Sequence, residues 1–360
     1  MTRRPELTPR ERVRLALEHR ETDRVPIAMV CSGINEPVST QFEGLLRRER
    51  GRSLREYLDA VLDIQAVGVP YVGPQLAHGR DIWGVGRRAF CYGAGSYDEI
   101  EHYPLDEAQE VGDLEKHQWP TTRFFDYSAW QDVIAAARSD RDYCLMLPNG
   151  NIFETSWYMR GFERMLVDMV VNPELVHGIM SRVTSFYVEH FSRALAAAGG
   201  GIDLVFTADD IAGQQGLLMS PEMWKEFIKP YHARLNEAIH SFGAKVIYHS
   251  DGGVMEAVPG LIDMGIDVLQ ALQFDAAGMD PAALKERYGG RLCFEGGVSV
   301  QRTLPFGTAD DVRDEVHNLI SVLGKGGGYI LGPSHAIQAG TPPENILAMF
   351  DAALRCEGPP

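Results

Sequence analysis

The stretch Ala244-Lys245-Val246-Ile247-Tyr248-His249-Ser250-Asp251-Gly252-Gly253 carries the reading of the fold. An apolar, β-prone run ends in a histidine and an aspartate two positions apart and stops on two glycines. Residues two apart on a strand face the same way, so this strand aims an imidazole and a carboxylate into one space. The pattern recurs along the second half of the chain. Cys144-Leu145-Met146-Leu147 runs into Asn149, Asn151 and Glu154, and Leu204-Val205-Phe206 runs into Thr207, Asp209 and Asp210. Val268-Leu269 is followed by Gln270 and Gln273, Leu292-Cys293-Phe294 by Glu295-Gly296-Gly297, and Tyr329-Ile330-Leu331 by Gly332-Pro333-Ser334-His335.

Helix starts lie between these runs. Ser220-Pro221-Glu222, Asp280-Pro281-Ala282 and Thr308-Ala309-Asp310-Asp311 each put a capping side chain before a helical segment, two of them with proline in the first turn. Repeated strand–helix units without a nucleotide fingerprint predict α/β architecture with a parallel sheet, closed as a (β/α)8 TIM barrel instead of an open doubly wound sheet. One barrel domain over residues 1–360 is expected. At the N-terminus, Thr8-Pro9-Arg10-Glu11 forms a capping box for a helix, and Asp23–Val30 reads as a turn and the first strand. From about Gly68 to Tyr127 the pattern is irregular and rich in Gly, Pro and aromatics, which predicts long loops and small hairpins over one face. Gly324-Lys325-Gly326-Gly327-Gly328 precedes a strand, so it reads as a turn into the last strand and not as a phosphate loop.

Composition bounds the function. The 360 residues are 45% hydrophobic and 23% charged, with a formal net charge of -16. That charge argues against nucleic acid and anionic membranes as main partners. Cys31, Cys91, Cys144, Cys293 and Cys356 are scattered without a CxxC pair, which reads as reduced thiols. With no signal-peptide core and no apolar run able to span a bilayer, a cytoplasmic location is expected.

Active sites of such barrels lie at the carboxyl ends of the strands. Each polar residue there also has a bland role. Asp209-Asp210 can cap a helix, Glu154 can pair with Arg160, and His335 can be an ordinary loop histidine. Jointly they are dense in carboxylates, amides and histidines, and clustered carboxylates need a metal, a cation or a shared proton. His249, Asp251 and His335 form a two-histidine, one-carboxylate set suited to zinc or another divalent ion. Asp209, Asp210, Glu295 and Glu154 are the candidate catalytic carboxylates, and Asn149, Asn151, Gln273 and Trp157 the candidate substrate contacts. Metal-free acid/base chemistry by His335 and an aspartate fits the same residues.

Thr22-Asp23-Arg24-Val25-Pro26, Asp81-Ile82-Trp83-Gly84, Trp157-Tyr158-Met159-Arg160-Gly161-Phe162-Glu163, Asp209-Asp210, His249-Ser250-Asp251-Gly252, Glu295-Gly296-Gly297 and His335-Ala336-Ile337-Gln338-Ala339-Gly340-Thr341-Pro342-Pro343-Glu344-Asn345 together resemble the uroporphyrinogen decarboxylase superfamily. That superfamily includes the decarboxylase of haem synthesis and the zinc-dependent methyltransferases that serve corrinoid proteins and coenzyme M. The resemblance spans nearly the whole chain and implies a (β/α)8 barrel.

It also separates two branches. The decarboxylase carries an arginine-rich segment after its first strand, where this chain has Ile27-Ala28-Met29-Val30-Cys31-Ser32-Gly33-Ile34-Asn35. The methyltransferases carry His-x-Cys-Gly and a later cysteine as zinc ligands. Here Asp251 and His335 stand at the two cysteine positions, and His335 also matches a histidine of the decarboxylase. The leading expectation is therefore a metal-dependent methyltransferase or demethylase on a small molecule, with a corrinoid protein as partner, a Zn2+-like ion on His249, Asp251 and His335, and a homodimeric assembly. The alternative is a metal-independent decarboxylase in which Asp209 or Asp210 stabilises a protonated intermediate. A non-catalytic binding protein ranks last.

Overall fold

The structure is a computed structural model describing residues 6–30, 33–91 and 95–356. Seven strands form one sheet: β1 (Ile64–Ala66), β2 (Cys144–Asn151), β3 (Leu204–Ala208), β4 (Lys245–His249), β5 (Val268–Ala271), β6 (Cys293–Val298) and β7 (Tyr329–Pro333). Their spatial order equals their chain order, and every neighbouring pair is parallel. Alternate residues divide between two cores, as a period of two requires. Leu145, Val205, Val246, Tyr248, Leu269 and Phe294 join the large core under the helices. Cys144, Met146, Leu204, Phe206, Ile247, Val268, Cys293 and Ile330 gather into a separate cluster. One cluster fed by six neighbouring strands marks a sheet curled around its inner face, a TIM-barrel-like fold.

The expected eighth strand is reduced, so the seven-stranded sheet curls but does not close into the (β/α)8 barrel that the sequence predicts. Asp23–Val30 contributes a single bridge, Ile27 with Leu331 of β7. Two local causes explain this. Pro26 has no N–H to donate, and the Ile27 N–H donates to the Asp63 carboxylate (2.8 Å) instead of to a strand. The segment still lies between the sheet's two ends: Ala28 N–H donates to Leu331 O (2.9 Å) and Asp63 N–H to Ile27 O (2.8 Å). The motif Thr22–Pro26 is thus part of an ion network. Asp63, fully buried, accepts from Arg12 (2.6 Å) and Arg24 (2.7 Å), and Arg12 also holds Asp23 (2.7 Å).

The helix starts fall where the caps place them. Thr8 closes a capping box on α1 (Pro9–Leu17), and Ser220, Asp280 and Thr308 each accept a backbone N–H three residues on. The irregular region holds a hairpin, Gly86–Cys91 against Ser96–His102, and two short 3-10 turns. Gly324–Gly328 does turn into β7. At Gly327, with φ +80, a Cβ would lie 2.4 Å from Arg20 N, so only glycine fits. Cys91, Cys144, Cys293 and Cys356 are free thiols, and Cys31 lies outside the described residues. No helix among the described residues is long and apolar enough to cross a membrane.

Asp63→Ala takes the acceptor from the buried Ile27 N–H, Arg24 and Arg12 Nη1, while Arg12 keeps Asp23. Breaking a buried pair on one side costs about 3–5 kcal/mol, so urea denaturation of this variant is expected to show a loss of that order. A loss below about 1 kcal/mol would mean that the network does not hold the sheet's two ends.

Candidate active site

Parallel register sets Ala208, His249, Gln270, Glu295 and Ile330 side by side on β3 to β7. The row two residues earlier is apolar: Phe206, Ile247, Val268 and Cys293. The inner face therefore changes from apolar to polar within one layer, at the carboxyl end of the sheet. His249 Nδ1 bonds to Gln270 Oε1. As Oε1 only accepts, Nδ1 carries the hydrogen. His249 Nε2 turns toward Asp210 Oδ1 (3.5 Å) and Asp251 Oδ1 (3.7 Å).

His335 follows β7 and places Nε2 3.8 Å from Asp251 Oδ2, with its ring centre 5.9 Å from that of His249. One ligand atom from each of His249, Asp251 and His335 lies within 4.8 Å of the others. Asp251 Oδ1 is buried and makes no hydrogen bond among the described residues. The glycine after it is required. Gly252 has φ +84, and a Cβ there would sit 2.4 Å from Gly213 O.

The carboxylates around this cluster differ in character. Burial raises the Asp251 pKa, against the pull of His249 and His335. Asp210 is lowered. Burial pushes it up, but the His249 imidazole and the Asp251 N–H, which donates to Oδ1 at 2.8 Å, outweigh that push. Glu154 is pushed up to about 8, first by burial and then by the Asp210 and Asp209 charges. Its environment therefore favours the protonated carboxyl.

Asp209 is fully buried and faces another task. It accepts from the Phe153 and Glu154 N–H groups (2.8 Å each) at the start of α2 (Ile152–Arg160), and from His232 of α3 (Lys229–His240). It is a helix cap, but for a helix that precedes it in the chain. Glu295 is also fully buried, in the row beside Gln270. Neither carboxylate lines the inner or the outer cavity of the site.

Two adjoining cavities open above this layer. The inner one, about 420 Å³, is lined by Asn149, Asn151, Glu154, Tyr158, Asp210, His249 and His335, with Met146 and Phe206 beneath. The outer one, about 530 Å³, shares Pro148, Asn149, Asn151 and Tyr158 with it and is walled by the loops of the 68–127 region. A register shift in β2 between Leu147 and Gly150, with Asn149 at φ +75, turns this segment into the shared wall.

Trp157 lines neither cavity. It packs on Phe162 (5.2 Å), because the cavity face of α2 runs through residues 151, 154, 155 and 158. Gln273 braces the site from outside, where its Oε1 accepts from Gly252 N–H (3.0 Å) and Gln214 (3.0 Å). Arg160 pairs with Asp168 (2.7 Å) and not with Glu154, whose carboxyl accepts from Asn151. Tyr158, Gln270 and His232 are the residues that sequence reasoning left out of the site. For Gln270 a signal existed, since it is a polar residue at an inward position of an apolar strand. For His232 none did.

The family model described as uroporphyrinogen decarboxylase (URO-D) matches residues 133–355, more than half of the chain. The chain belongs to the uroporphyrinogen decarboxylase family. It is 25% identical over 185 residues to a uroporphyrinogen decarboxylase of Psychromonas ingrahamii, covering 50% of this chain and 48% of that one. It is 28% identical over 200 residues to a methylated-thiol–coenzyme M methyltransferase of Methanosarcina mazei, covering 56% and 50%. The aligned stretch is thus about half the length of these relatives. Among solved structures, a methyltransferase from Methanosarcina mazei superimposes with a TM-score of 0.66 at 20% identity, over 97% of this chain and 98% of that one. That likeness shows the TIM-barrel-like fold.

Glu154 supplies a pH test. Its folded pKa of about 8 lies above the ordinary 4.5. Its contribution to stability is therefore complete below about 4.5 and is lost as pH rises through about 8. Measured by urea denaturation, the native protein is expected to lose stability relative to Glu154→Gln across that window. Parallel pH curves for the two proteins would show that the carboxyl is already ionised.

Proposed function

We propose that the chain is a metal-dependent methyltransferase or demethylase that takes a methyl group from a small molecule and passes it to a corrinoid protein or a thiol. The convergence of His249, Asp251 and His335 carries this reading. These residues fit a divalent ion on three counts. Their donor atoms are two nitrogens and an oxygen, a set zinc accepts with a position left open. The buried Asp251 Oδ1 makes no hydrogen bond among the described residues. The Gln270 contact keeps the hydrogen of a neutral His249 on Nδ1, so the lone pair sits on Nε2. When bound, the ion supplies Lewis acidity to the heteroatom that carries the methyl group.

The remaining steps belong to side chains. Asn149, Asn151 and the Tyr158 hydroxyl offer polar groups to the substrate along the cavity wall. Glu154, whose burial favours the protonated carboxyl, lines the cavity where a leaving heteroatom would take up a proton. Asp210 keeps its charge and orients the Asp251 backbone. Asp209 fixes the start of α2 and hence the position of Glu154.

The inner cavity has Glu154 and Asp210 but no arginine or lysine among its described lining residues. That favours a substrate without multiple carboxylates, and so favours methyl transfer over decarboxylation of a polycarboxylate. The decarboxylase relatives support the second reading, metal-independent decarboxylation. Carbon dioxide release that survives chelation would select it.

Protein purified without added metal is expected to retain or take up one equivalent of zinc or a similar divalent ion. Chelator competition should show His249→Ala, Asp251→Ala and His335→Ala each weakened at least ~100-fold, the upper end of what outer-shell changes cost. No affinity of the native protein for zinc, cobalt, nickel or manganese would sink the metal reading.

A further inference from the structure

The outer cavity has a different chemistry from the inner one. Its walls are largely packed aromatic rings: Trp83 edge to face on Phe186 (5.0 Å, 77°), and tilted pairs of Trp83 with Tyr187 (5.7 Å) and Phe125 with Phe186 (6.3 Å). Leu76, Ile82, Val69 and Leu147 add to the apolar lining. Rings locked against one another hold the space open. An apolar cavity of about 150 Å³ already admits benzene, and this one is about 530 Å³.

The polar groups in its wall are already engaged with one another. Arg87 pairs with Asp81 (2.7 Å) and lies over the Tyr158 ring, while Asp81 also accepts from the Trp83 and Val85 N–H groups. Thr155 bonds to Tyr187 (3.1 Å) and His190 to Tyr127 (2.8 Å). His190 is neutral at pH 7, its pKa held down at about 4 by burial. Asp81 and Arg87, the only charged side chains lining the chamber among the described residues, neutralise each other. A charged ligand would lose its hydration there and gain no uncommitted counter-charge. Unpaired polarity is concentrated at the junction with the inner cavity, at Asn149 and the Tyr158 hydroxyl, which make no side-chain hydrogen bond among the described residues.

We infer that the outer chamber is a slot for the neutral aromatic body of the substrate, whose heteroatom-bearing edge reaches past Asn149 and Tyr158 to His249, Asp251 and His335. The substrate class is then a neutral arene carrying a methylated oxygen, sulfur or nitrogen. The direction of entry rests on the proposed methyl-transfer site, whereas arene binding itself does not.

Calorimetry with three probes that share the methoxyphenyl ring tests the inference: methoxybenzene, 4-methoxybenzoate and 4-methoxyphenyltrimethylammonium. Methoxybenzene is expected to bind at least tenfold more tightly than either ion. Leu76 is 40% exposed, so Leu76→Asp and Leu76→Trp should fold. Each is expected to weaken methoxybenzene at least tenfold while zinc affinity stays unchanged. Tighter or equal binding of either ion overturns the inference. So does an absence of methoxybenzene binding, or binding indifferent to both Leu76 variants. If methoxybenzene binds as expected but zinc does not, the metal reading fails and the aromatic slot stands.

Discussion

Parallel register is the constraint on which the rest of the site depends. Because β3 to β7 run in one direction and pair without offset, Ala208, His249, Gln270, Glu295 and Ile330 lie at one level of the inner face. One level below, the face is filled with apolar side chains. Polar groups at this level cannot sink into the core, so they turn to one another and to the cavity. The His249–Gln270 contact follows directly from that adjacency. Residues 249 and 335, far apart in sequence, meet because each leaves its strand at the same end.

A second brace joins the sheet to the helices. Asp209 stands one residue beyond β3 and uses its carboxylate to satisfy the open N-terminus of α2, an interaction that also favours negative charge at that position. His232 of α3 closes the other side. This places Glu154 and Tyr158 over Asp210 and His249. Of two adjacent aspartates, one therefore builds the site and its neighbour faces it.

Much of this was legible in the sequence. Apolar runs with polar ends and capped helices at regular spacing indicated the parallel sheet. The His-x-Asp strand end and the loop histidine indicated which side chains would converge. The expected first strand was harder to judge, because its pairing was intercepted by a side chain, Asp63, from 36 residues further along. Asp209 and Asp210 could not be separated by sequence, since which of the two meets a helix N-terminus is decided by packing. Trp157 and Tyr158 differ by one position, 100° on a helix, and only the placement of α2 shows which of them lines the cavity. The closing Thr-Pro-Pro-Glu-Asn motif proves to be partly a fastening: Asn345 donates to Leu304 O (2.9 Å) and Gly307 O (2.8 Å).

The cluster of His249, Asp251 and His335 offers two imidazoles and one carboxylate. A nitrogen–oxygen donor set is harder than a thiolate set, so it shifts the site toward activating oxygen or nitrogen leaving groups. X-ray absorption at the metal edge of the zinc-loaded protein tests this most directly. The account predicts a first shell of nitrogen and oxygen only, at about 2.0–2.2 Å, with the outer-shell pattern of two imidazoles. A sulfur scatterer at about 2.3 Å, or a shell without histidine, would contradict it.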